Sequence, residues 1–357
     1  MNPKGKRPRP RPDLDGLAPY RTSDVEQGRV FLHANENPYP LPDDVMKEIL
    51  DATSRLQLNR YPSAETGAEL ARELASYTGV DPEWIWVGDG SNEVLLQACL
   101  AYGGPGRTAL LFEPTYRMHY RQARMSGAAV ESRMRGSDFA IDIDAALDAI
   151  GSVRPDVVFV CTPNNPTGTT TPEADVLAVA SSAPGLVVVD EAYFEFCGAT
   201  IVPKLADLPN VLVVRTMSKA FRLAGLRLGY GVANPDVLDG MRSVRMPYAQ
   251  SSFTQAAALV VLKRRDEVLD KVAAIVAERD RVARELSAVA DVFPSGGNFV
   301  LFRPRDADAL LAALAREGIV IRDFRALAGC EGCLRVTAGL PTENDEFLRV
   351  VHELSAA

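Results

Sequence analysis

The sequence has few residues of the kinds that form disulfide frameworks or metal centres. Its 357 residues include five cysteines, too few for a disulfide scaffold in a chain of this length. The three histidines, His33, His119 and His352, are scattered without metal-ligand spacing, so we expect no metal. Cys330 and Cys333 have CxxC spacing but no second pair, and we interpret them as part of a turn rather than as a redox or zinc site.

Long apolar runs and an excess of positive charge are also missing. No run is long enough to cross a membrane, and the N-terminal segment lacks the apolar core of a signal peptide, so we expect a cytoplasmic protein. The net charge of -8 argues against nucleic acid as the main partner, because phosphate binding needs a basic face. Residues 1–16 are the exception: basic residues alternate there with prolines, which predicts a disordered tail.

The pattern of apolar runs predicts an α/β fold. The length favours two domains, and short apolar runs alternate with helix-length segments between residues 84 and 232. Such runs predict strands that are buried on both faces of a mostly parallel sheet, with ligands at their carboxyl ends. The predicted strands cover residues 84–87, 109–112, 157–160, 186–189, 211–214 and 228–231.

The C-terminal third predicts a smaller α/β unit. A long helix over about 254–290 leads into it. Within it we predict strands at 298–302, 319–322 and 334–337 and helices at 307–317 and 344–355. The predicted organisation is a tail (1–16), an arm with part of the small domain (17–50), a large domain (51–245), and a linking helix with the small domain (246–357).

A lysine directly after a predicted buried strand is the most informative residue. Burial lowers the pKa of an ammonium, so Lys219 could attack a carbonyl and hold it as a Schiff base. The hydroxyls of Thr216 and Ser218 and the guanidinium of Arg227 would suit a phosphate. An aldehyde that carries a phosphate is pyridoxal 5'-phosphate. A lone Ser-Lys is more often part of a solvated loop. The residues at the other strand ends therefore decide between a catalytic lysine and a solvated loop.

Two further loops follow predicted strands. Residues 88–93, Gly-Asp-Gly-Ser-Asn-Glu, open a helix whose free N–H groups could bind phosphate, although a plain helix cap fits equally well. Residues 161–168 place two prolines and a glycine around an asparagine pair. A rigid amide there could donate to a phenolate oxygen on the cofactor ring; the alternative is an ordinary turn.

Asp190 ends a fully apolar strand. A carboxylate is costly to bury there unless it meets a cation, and a protonated pyridine nitrogen is such a cation. The alternative is an aspartate that caps the following segment. Tyr193 could reach the 3-hydroxyl of the ring, and Tyr116 could stack on its face or simply pack.

Together these motifs resemble the fold-type I pyridoxal-phosphate aminotransferases. Within that class the chain is most similar to the histidinol-phosphate aminotransferases, over nearly everything from about residue 17 onward. The cofactor motifs are Asn-Glu-Asn-Pro at 35–38, Pro-Asn-Asn-Pro-Thr-Gly at 163–168, Asp-Glu-Ala-Tyr at 190–193 and Ser-Lys at 218–219. The subgroup motifs are Leu-Ala-Pro-Tyr at 17–20, Asn-Arg-Tyr-Pro at 59–62, Arg-Thr-Met-Ser-Lys-Ala-Phe at 215–221 and Cys-Leu-Arg-Val-Thr at 333–337.

The resemblance implies roles for these residues in a homodimer with active sites at the subunit interface. Lys219 would bind the cofactor aldehyde, Asp190 the ring nitrogen, and Asn165 and Tyr193 the 3-oxygen. The implied phosphate ligands are Ser91, Asn92, Thr216, Ser218, Arg227 and, from the neighbouring subunit, Tyr61. The implied substrate-binding residues are Arg335, Arg322, Tyr20 and Asn35. Asn92 replaces a frequent acidic residue of the family.

The implied reaction is a ping-pong transamination. Lys219 would act as general base on the substrate, with 2-oxoglutarate as amino acceptor and glutamate as product. Arg335 and Arg322 could pair with the α-carboxylate of glutamate or with the phosphate of histidinol phosphate. Arg322 could instead lie in an ordinary ion pair at a strand end.

Three alternatives differ in chemistry or class. An aromatic or broad-range aminotransferase would share every cofactor residue, and a decarboxylase of a phosphorylated amino acid would release carbon dioxide without needing 2-oxoglutarate. A cofactor-sensing regulator would need a DNA-binding module, and we expect none because the segment before the predicted domains is short and rich in proline.

Overall fold

The computed structural model describes residues 9–17, 19 and 28–356. Its strands are β1 (Val30–Phe31), β2 (Ile85–Asp89), β3 (Thr108–Glu113), β4 (Ala129–Met134), β5 (Val157–Cys161), β6 (Leu186–Asp190), β7 (Val211–Thr216), β8 (Leu228–Ala233), β9 (Ala290–Val292), β10 (Phe299–Pro304), β11 (Ile319–Val320), β12 (Arg322–Asp323) and β13 (Leu334–Thr337).

The helices alternate with these strands through most of the chain. They are α1 (Asp43–Ser54), α2 (Ala64–Thr78), α3 (Ser91–Tyr102), α4 (Arg117–Ser126), α5 (Ile143–Val153), α6 (Glu173–Ser182), α7 (Pro235–Arg242), α8 (Ser252–Lys263), α9 (Arg265–Val268), α10 (Val272–Leu286), α11 (Ala307–Arg316) and α12 (Pro341–Ala356). Among the described residues, no helix has both the length and the apolar character required to cross a bilayer.

A seven-stranded sheet, in the order β2-β8-β7-β6-β5-β3-β4, forms the centre of the molecule. Its strands are buried on both sides because alternate residues face two different cores. Val158 and Val160 of β5 pack with α1, α2, α5, α6 and α8, whereas Val157 and Phe159 pack with α3, α4 and α7. The predicted α/β class and the predicted buried strands are therefore confirmed.

Two features of the sheet go beyond the prediction of a mostly parallel sheet, which did not specify the direction of β8 and did not include β4. β8 runs antiparallel to both β7 and β2. The segment between β7 and β8 contains only a 3-10 turn (Ala224–Leu226) and no crossover helix, and a parallel connection would need such a crossover. The edge strand β4 escaped prediction because its residues are half or fully exposed and do not form an apolar run.

A four-stranded antiparallel sheet, β12-β13-β10-β9, forms the second unit. Its core lies between the sheet and α10, α11 and α12. β1, near the N-terminus, pairs in parallel with β11, so the arm of the chain joins the C-terminal unit.

Two predicted elements of this part are divided in the structure. The helix expected over 254–290 is three helices, α8 to α10, because α8 packs on the core of the large sheet and α10 on that of the second unit. The strand expected over 319–322 is two short strands: β11 pairs with β1, and β12 pairs with β13. β1 and β9 were not predicted, and both are very short.

Candidate active site

The predicted cofactor residues meet at one edge of the large sheet. Asp190 is the last residue of β6 and Thr216 the last of β7, and the loop with Asn165 follows β5. These three strands are parallel neighbours, so their carboxyl ends open on the same edge.

Lys219 lies just beyond β7 and is partly buried. Its Nζ donates a hydrogen bond to the carbonyl oxygen of Ala34 at 2.8 Å. Burial, aided by the positive charges of Arg335 and Arg227 and opposed by Glu36, lowers the pKa of Lys219 to about 8. A substantial fraction of the amine is therefore neutral near physiological pH, as nucleophilic or basic chemistry requires.

Asp190 has a buried partner that the sequence did not predict. The Nε2 of His119 lies 2.9 Å from the Oδ2 of Asp190, and the backbone N–H of Ala192 donates to Oδ1 at 3.1 Å. The His119 ring is fully buried, stacked on Phe159 with 4.8 Å between ring centroids and edge-on to Tyr116. The spacing of Tyr116 and His119, three residues apart at the start of α4, was a usable signal that the two rings share a face.

Hydroxyl groups and a guanidinium form a cluster at the start of α3. The Thr216 hydroxyl donates to the Ser218 hydroxyl at 3.0 Å, and the Nη1 of Arg227 approaches the same oxygen at 3.4 Å. Gly90, in a left-handed conformation (φ 73°), precedes Ser91, and any Cβ at Gly90 would collide with the Arg227 guanidinium. The arrangement combines the N-terminus of a helix with a cation, which favours an anion.

The two asparagines of the 161–168 loop have different duties. Asn164 is fully buried and holds the loop, since it donates to the Pro114 carbonyl and to the Thr167 hydroxyl and accepts from the Thr115 hydroxyl. Asn165 faces the site instead. Nearby, the Tyr116 hydroxyl donates to the Oδ1 of Asn92 at 3.1 Å, so the ring predicted to stack on the cofactor is tied to the start of α3.

Tyr193 lies at the centre of an amide network. Its hydroxyl accepts from the Nδ2 of Asn35 at 2.9 Å and from the Nδ2 of Asn165 at 3.2 Å. The ring is almost entirely buried, and burial raises the pKa of Tyr193 to about 12, so the hydroxyl keeps its proton.

The second unit contributes two arginines on paired strands. Arg322 of β12 and Arg335 of β13 are direct cross-strand partners. Arg335 is buried and donates to the Oδ1 of Asn165 at 2.6 Å and to the carbonyl of His33 at 2.8 Å. Asp323 pairs with Arg325 at 2.8 Å, and among the described residues Arg322 forms no ion pair.

A buried ion pair, not predicted from the sequence, lies directly behind the site. The Nη2 of Arg215 donates to the Oε2 of Glu191 at 2.8 Å, and both side chains are nearly inaccessible to solvent. The backbone N–H of Ile201 donates to the other carboxylate oxygen, and the guanidinium lies 3.5 Å above the Phe194 ring. Glu191 follows Asp190 and Arg215 precedes Thr216, so the pair joins the two strand ends that carry site residues.

Four residues singled out from the sequence fall outside this cluster or its description. Tyr61 is exposed and stacks on Tyr248 with 4.1 Å between ring centroids. Tyr20 lies outside the described residues. Cys330 and Cys333 are buried on a turn, where the N–H of Cys333 bonds to the Cys330 carbonyl, and burial raises the pKa of both thiols.

With this geometry established, comparison with known proteins identifies the family. The family model described as aminotransferase class I and II matches residues 29–351. The chain belongs to the class I and II aminotransferases. The predicted resemblance to the fold-type I enzymes is therefore confirmed.

Among its individual relatives, this aminotransferase is similar to histidinol-phosphate aminotransferases. It is 47% identical to the histidinol-phosphate aminotransferase of Streptomyces avermitilis, with 96% of each chain covered. It is also 47% identical to that of Nocardia farcinica, with 97% of this chain and 91% of the relative covered. The solved structure of the Sinorhizobium meliloti histidinol-phosphate aminotransferase with pyridoxal-5'-phosphate superposes with a TM-score of 0.87 at 25% identity, over 98% of this chain and 99% of that one.

Proposed function

We propose that this aminotransferase transfers the amino group of L-histidinol phosphate to 2-oxoglutarate, with imidazole-acetol phosphate and L-glutamate as products. The observation that carries the proposal is the cross-strand pair Arg322 and Arg335. Like charges directly opposite each other destabilise a sheet, and a phosphate dianion between the guanidinium groups would reverse that effect. The named relatives at 47% identity support the same substrate.

The residues at the strand ends fit pyridoxal phosphate as cofactor. The cluster of Thr216, Ser218 and Arg227 beside the N-terminus of α3 offers hydroxyl donors, a cation and free backbone N–H groups to a phosphate. The buried Asp190 carboxylate suits a protonated ring nitrogen, and the Tyr193 hydroxyl with Asn165 suits the ring oxygen. Ser91, Asn92 and Tyr116 complete the proposed cofactor site.

The mechanism follows from what these side chains can hold or move. When bound, the cofactor supplies the aldehyde that takes up the amino group and a ring that accepts electrons. Lys219 Nζ, neutral in part because of its lowered pKa, takes the proton from the substrate carbon that bears the amino group. The Ala34 carbonyl accepts one N–H of Lys219, which orients the lone pair of the amine.

Asp190 and the arginines position the reactants. Asp190 is fixed by His119 and by the N–H of Ala192, so its carboxylate presents charge in one orientation. Arg335 can form two parallel hydrogen bonds to a carboxylate or a phosphate, which allows donor and acceptor to use one site in turn. Arg322 adds the second positive charge that a phosphate dianion favours over a carboxylate.

A homodimer is part of the proposal, with Tyr61 reaching the cofactor phosphate of the neighbouring subunit. The stacked rings of Tyr61 and Tyr248 are more than half exposed, and Leu58 and Met246 are exposed as well. Exposed apolar surface of this kind marks an interaction site. We also propose the domain boundaries given above, because β1 pairs with β11, and a cytoplasmic location, as expected from the sequence.

A substrate panel tests the proposed function. The purified enzyme, loaded with pyridoxal phosphate, is assayed with histidinol phosphate, phenylalanine and histidine, each with 2-oxoglutarate as acceptor. We expect the largest kcat/KM for histidinol phosphate and glutamate formed in equal amount. A larger kcat/KM for phenylalanine would identify an aromatic aminotransferase, and carbon dioxide release without glutamate would identify a decarboxylase.

A further inference from the structure

Residues 33–35 place three successive groups against three side chains of the site. The His33 carbonyl accepts from Arg335, the Ala34 carbonyl accepts from Lys219, and the Asn35 side chain donates to Tyr193. The first two contacts use the backbone, which any residue could supply. The third uses the carboxamide of Asn35, so only that contact depends on the identity of the side chain.

The carboxamide of Asn35 is fixed at both ends. Its Oδ1 accepts from the Thr337 hydroxyl at 3.2 Å, and its Nδ2 donates to the Tyr193 hydroxyl at 2.9 Å. The Thr337 hydroxyl also accepts from the backbone N–H of Asn35, and Asn298 donates to the Asn35 carbonyl. Asn35 is 1% exposed, and its network assigns the orientation of the amide. It therefore connects the second unit, through β13, with Tyr193 of the large one.

The direction of these hydrogen bonds determines what the Tyr193 hydroxyl can do. Asn165 is oriented in the same sense, because its Oδ1 accepts from Arg335 and its Nδ2 donates to Tyr193. A phenol has one proton and can accept about two hydrogen bonds. With both amides donating, the acceptor sites are filled, and the proton of Tyr193 is left to donate to a third group.

We propose that Asn35 is a positioning residue: by donating to Tyr193, it directs the Tyr193 proton toward the ring oxygen of the bound cofactor. The inference rests on the proposed function only in its choice of cofactor. The charged and titratable groups around the hydroxyl are Arg335, Asp190 and Cys161. A carboxamide engaged at both ends has little capacity left for a substrate, so Asn35 acts through Tyr193.

A double-mutant cycle between Asn35 and Tyr193 tests the proposal. Asn35 has a left-handed backbone (φ 53°), so Asn35→Gly removes the side chain while it tolerates that conformation. The cycle compares the wild type, Asn35→Gly, Tyr193→Phe and the double variant. Two quantities are measured: the dissociation constant of pyridoxal phosphate from the apoenzyme, and the pH midpoint of the cofactor absorbance in the loaded enzyme.

We expect Asn35→Gly to raise the dissociation constant by about tenfold and to raise the pH midpoint, since a misdirected Tyr193 proton no longer stabilises the deprotonated ring oxygen. In the Tyr193→Phe background the same substitution should change the dissociation constant by less than about twofold. Equal effects in the two backgrounds would overturn the proposal.

Two further variants separate positioning from folding. Thr337→Val removes the anchor of Asn35 Oδ1 and should shift the midpoint in the same direction, whereas Thr337→Ser keeps the hydroxyl and should restore it. Asn210→Asp is the matched control: Asn210 bonds to three backbone carbonyls just before β7, away from the site. It should lower the melting temperature and leave the midpoint unchanged.

Turnover of histidinol phosphate by the wild type is measured alongside the cycle. Coupling between Asn35 and Tyr193 without that turnover would support the positioning role and reject the proposed substrate. Turnover with additive effects in the cycle would support the proposed function and reject the positioning role.

Discussion

The two sheets bring charged residues to the same site but pair them differently. In the large sheet, the carboxylates at the ends of β6 each have a buried partner: Asp190 has His119, and Glu191 has Arg215. We call Asp190, Glu191 and Arg215 the floor. In the second sheet, Arg322 and Arg335 stand opposite each other on β12 and β13, and Arg335 donates to the neutral oxygens of Asn165 and His33. We call these two arginines the wall.

This difference in pairing indicates that the floor supports the site, whereas the wall binds the substrate. A buried charge that is fully paired keeps its position without a ligand, so the floor is a prebuilt support for the reacting groups. Two like charges on neighbouring strands repel each other, and an anion between them would remove that repulsion. We therefore expect floor substitutions to affect stability and chemistry, and wall substitutions to affect substrate binding and choice.

The largest effect is expected at Lys219, the proposed base. Lys219→Ala removes the proton acceptor, and because general acid–base catalysis contributes about 10²- to 10⁴-fold, kcat should fall by about 10²- to 10⁴-fold. Borohydride reduction should no longer attach the cofactor covalently to the protein. Binding of the cofactor phosphate should persist, since Thr216, Ser218 and Arg227 remain. Measurable turnover at a rate near that of the wild type would remove Lys219 from the mechanism.

The floor is tested next by Glu191→Gln. The Arg215 guanidinium would lose its carboxylate while it stays buried, so the free energy of unfolding should fall by about 3–5 kcal/mol. Denaturant unfolding of the loaded enzyme measures this loss. Glu353→Gln, which breaks an exposed pair with Arg349 on α12, is the matched control and should cost under about 1 kcal/mol. Equal losses of unfolding free energy in the two variants would show that the buried pair stabilises the fold no more than an exposed one does.

The wall is tested by Arg335→Lys, which keeps the charge but loses the planar fork. Because a hydrogen bond to a charged group contributes about 1.5–3 kcal/mol, kcat/KM should fall by roughly 10- to 100-fold for histidinol phosphate and for glutamate alike. The melting temperature should change little. A large loss of stability with unchanged kcat/KM would show that Arg335 supports the fold and does not bind substrate.

The smallest effect concerns pH. The lowered pKa of Lys219 means that the amine becomes neutral as the pH rises through about 8, not through 10.5. The rate of pyridoxal phosphate uptake by the apoenzyme should therefore increase with pH and level off above about 8, because only the neutral amine attacks the aldehyde. Stopped-flow absorbance measures the rate. A midpoint near 10.5 would show that burial does not tune the amine.

Of the floor residues, Asp190 was predictable from the sequence, whereas Glu191 and Arg215 were not. Asp190 and Lys219 each follow an apolar run, which places them at strand ends. His119 is a lone histidine in a polar helix, and only the three-dimensional crossing of α4 and β6 brings it to Asp190. The Glu191–Arg215 contact likewise depends on the pairing of β6 with β7, which single-strand patterns do not specify.

The wall shows the opposite balance. The identities of Arg322 and Arg335 followed from a family resemblance, whereas their register as direct partners required the structure. A single strand was expected over 319–322. The chain changes its pairing partner after Val320, from β1 to β13, and this change depends on the tertiary structure. Short strands of two residues carry too little periodicity for a sequence pattern to divide them.

Recognition of a phosphate by the wall is tested most directly by a ratio of two kcat/KM values, measured in two enzymes. It is kcat/KM for histidinol phosphate divided by kcat/KM for phenylalanine, in the wild type and in Arg322→Met, which keeps much of the side-chain length without the charge. We predict a ratio well above one for the wild type and a decrease of roughly tenfold or more in the variant, in line with the loss of a charged hydrogen bond. A ratio that stays the same in both enzymes would show that Arg322 does not recognise the phosphate.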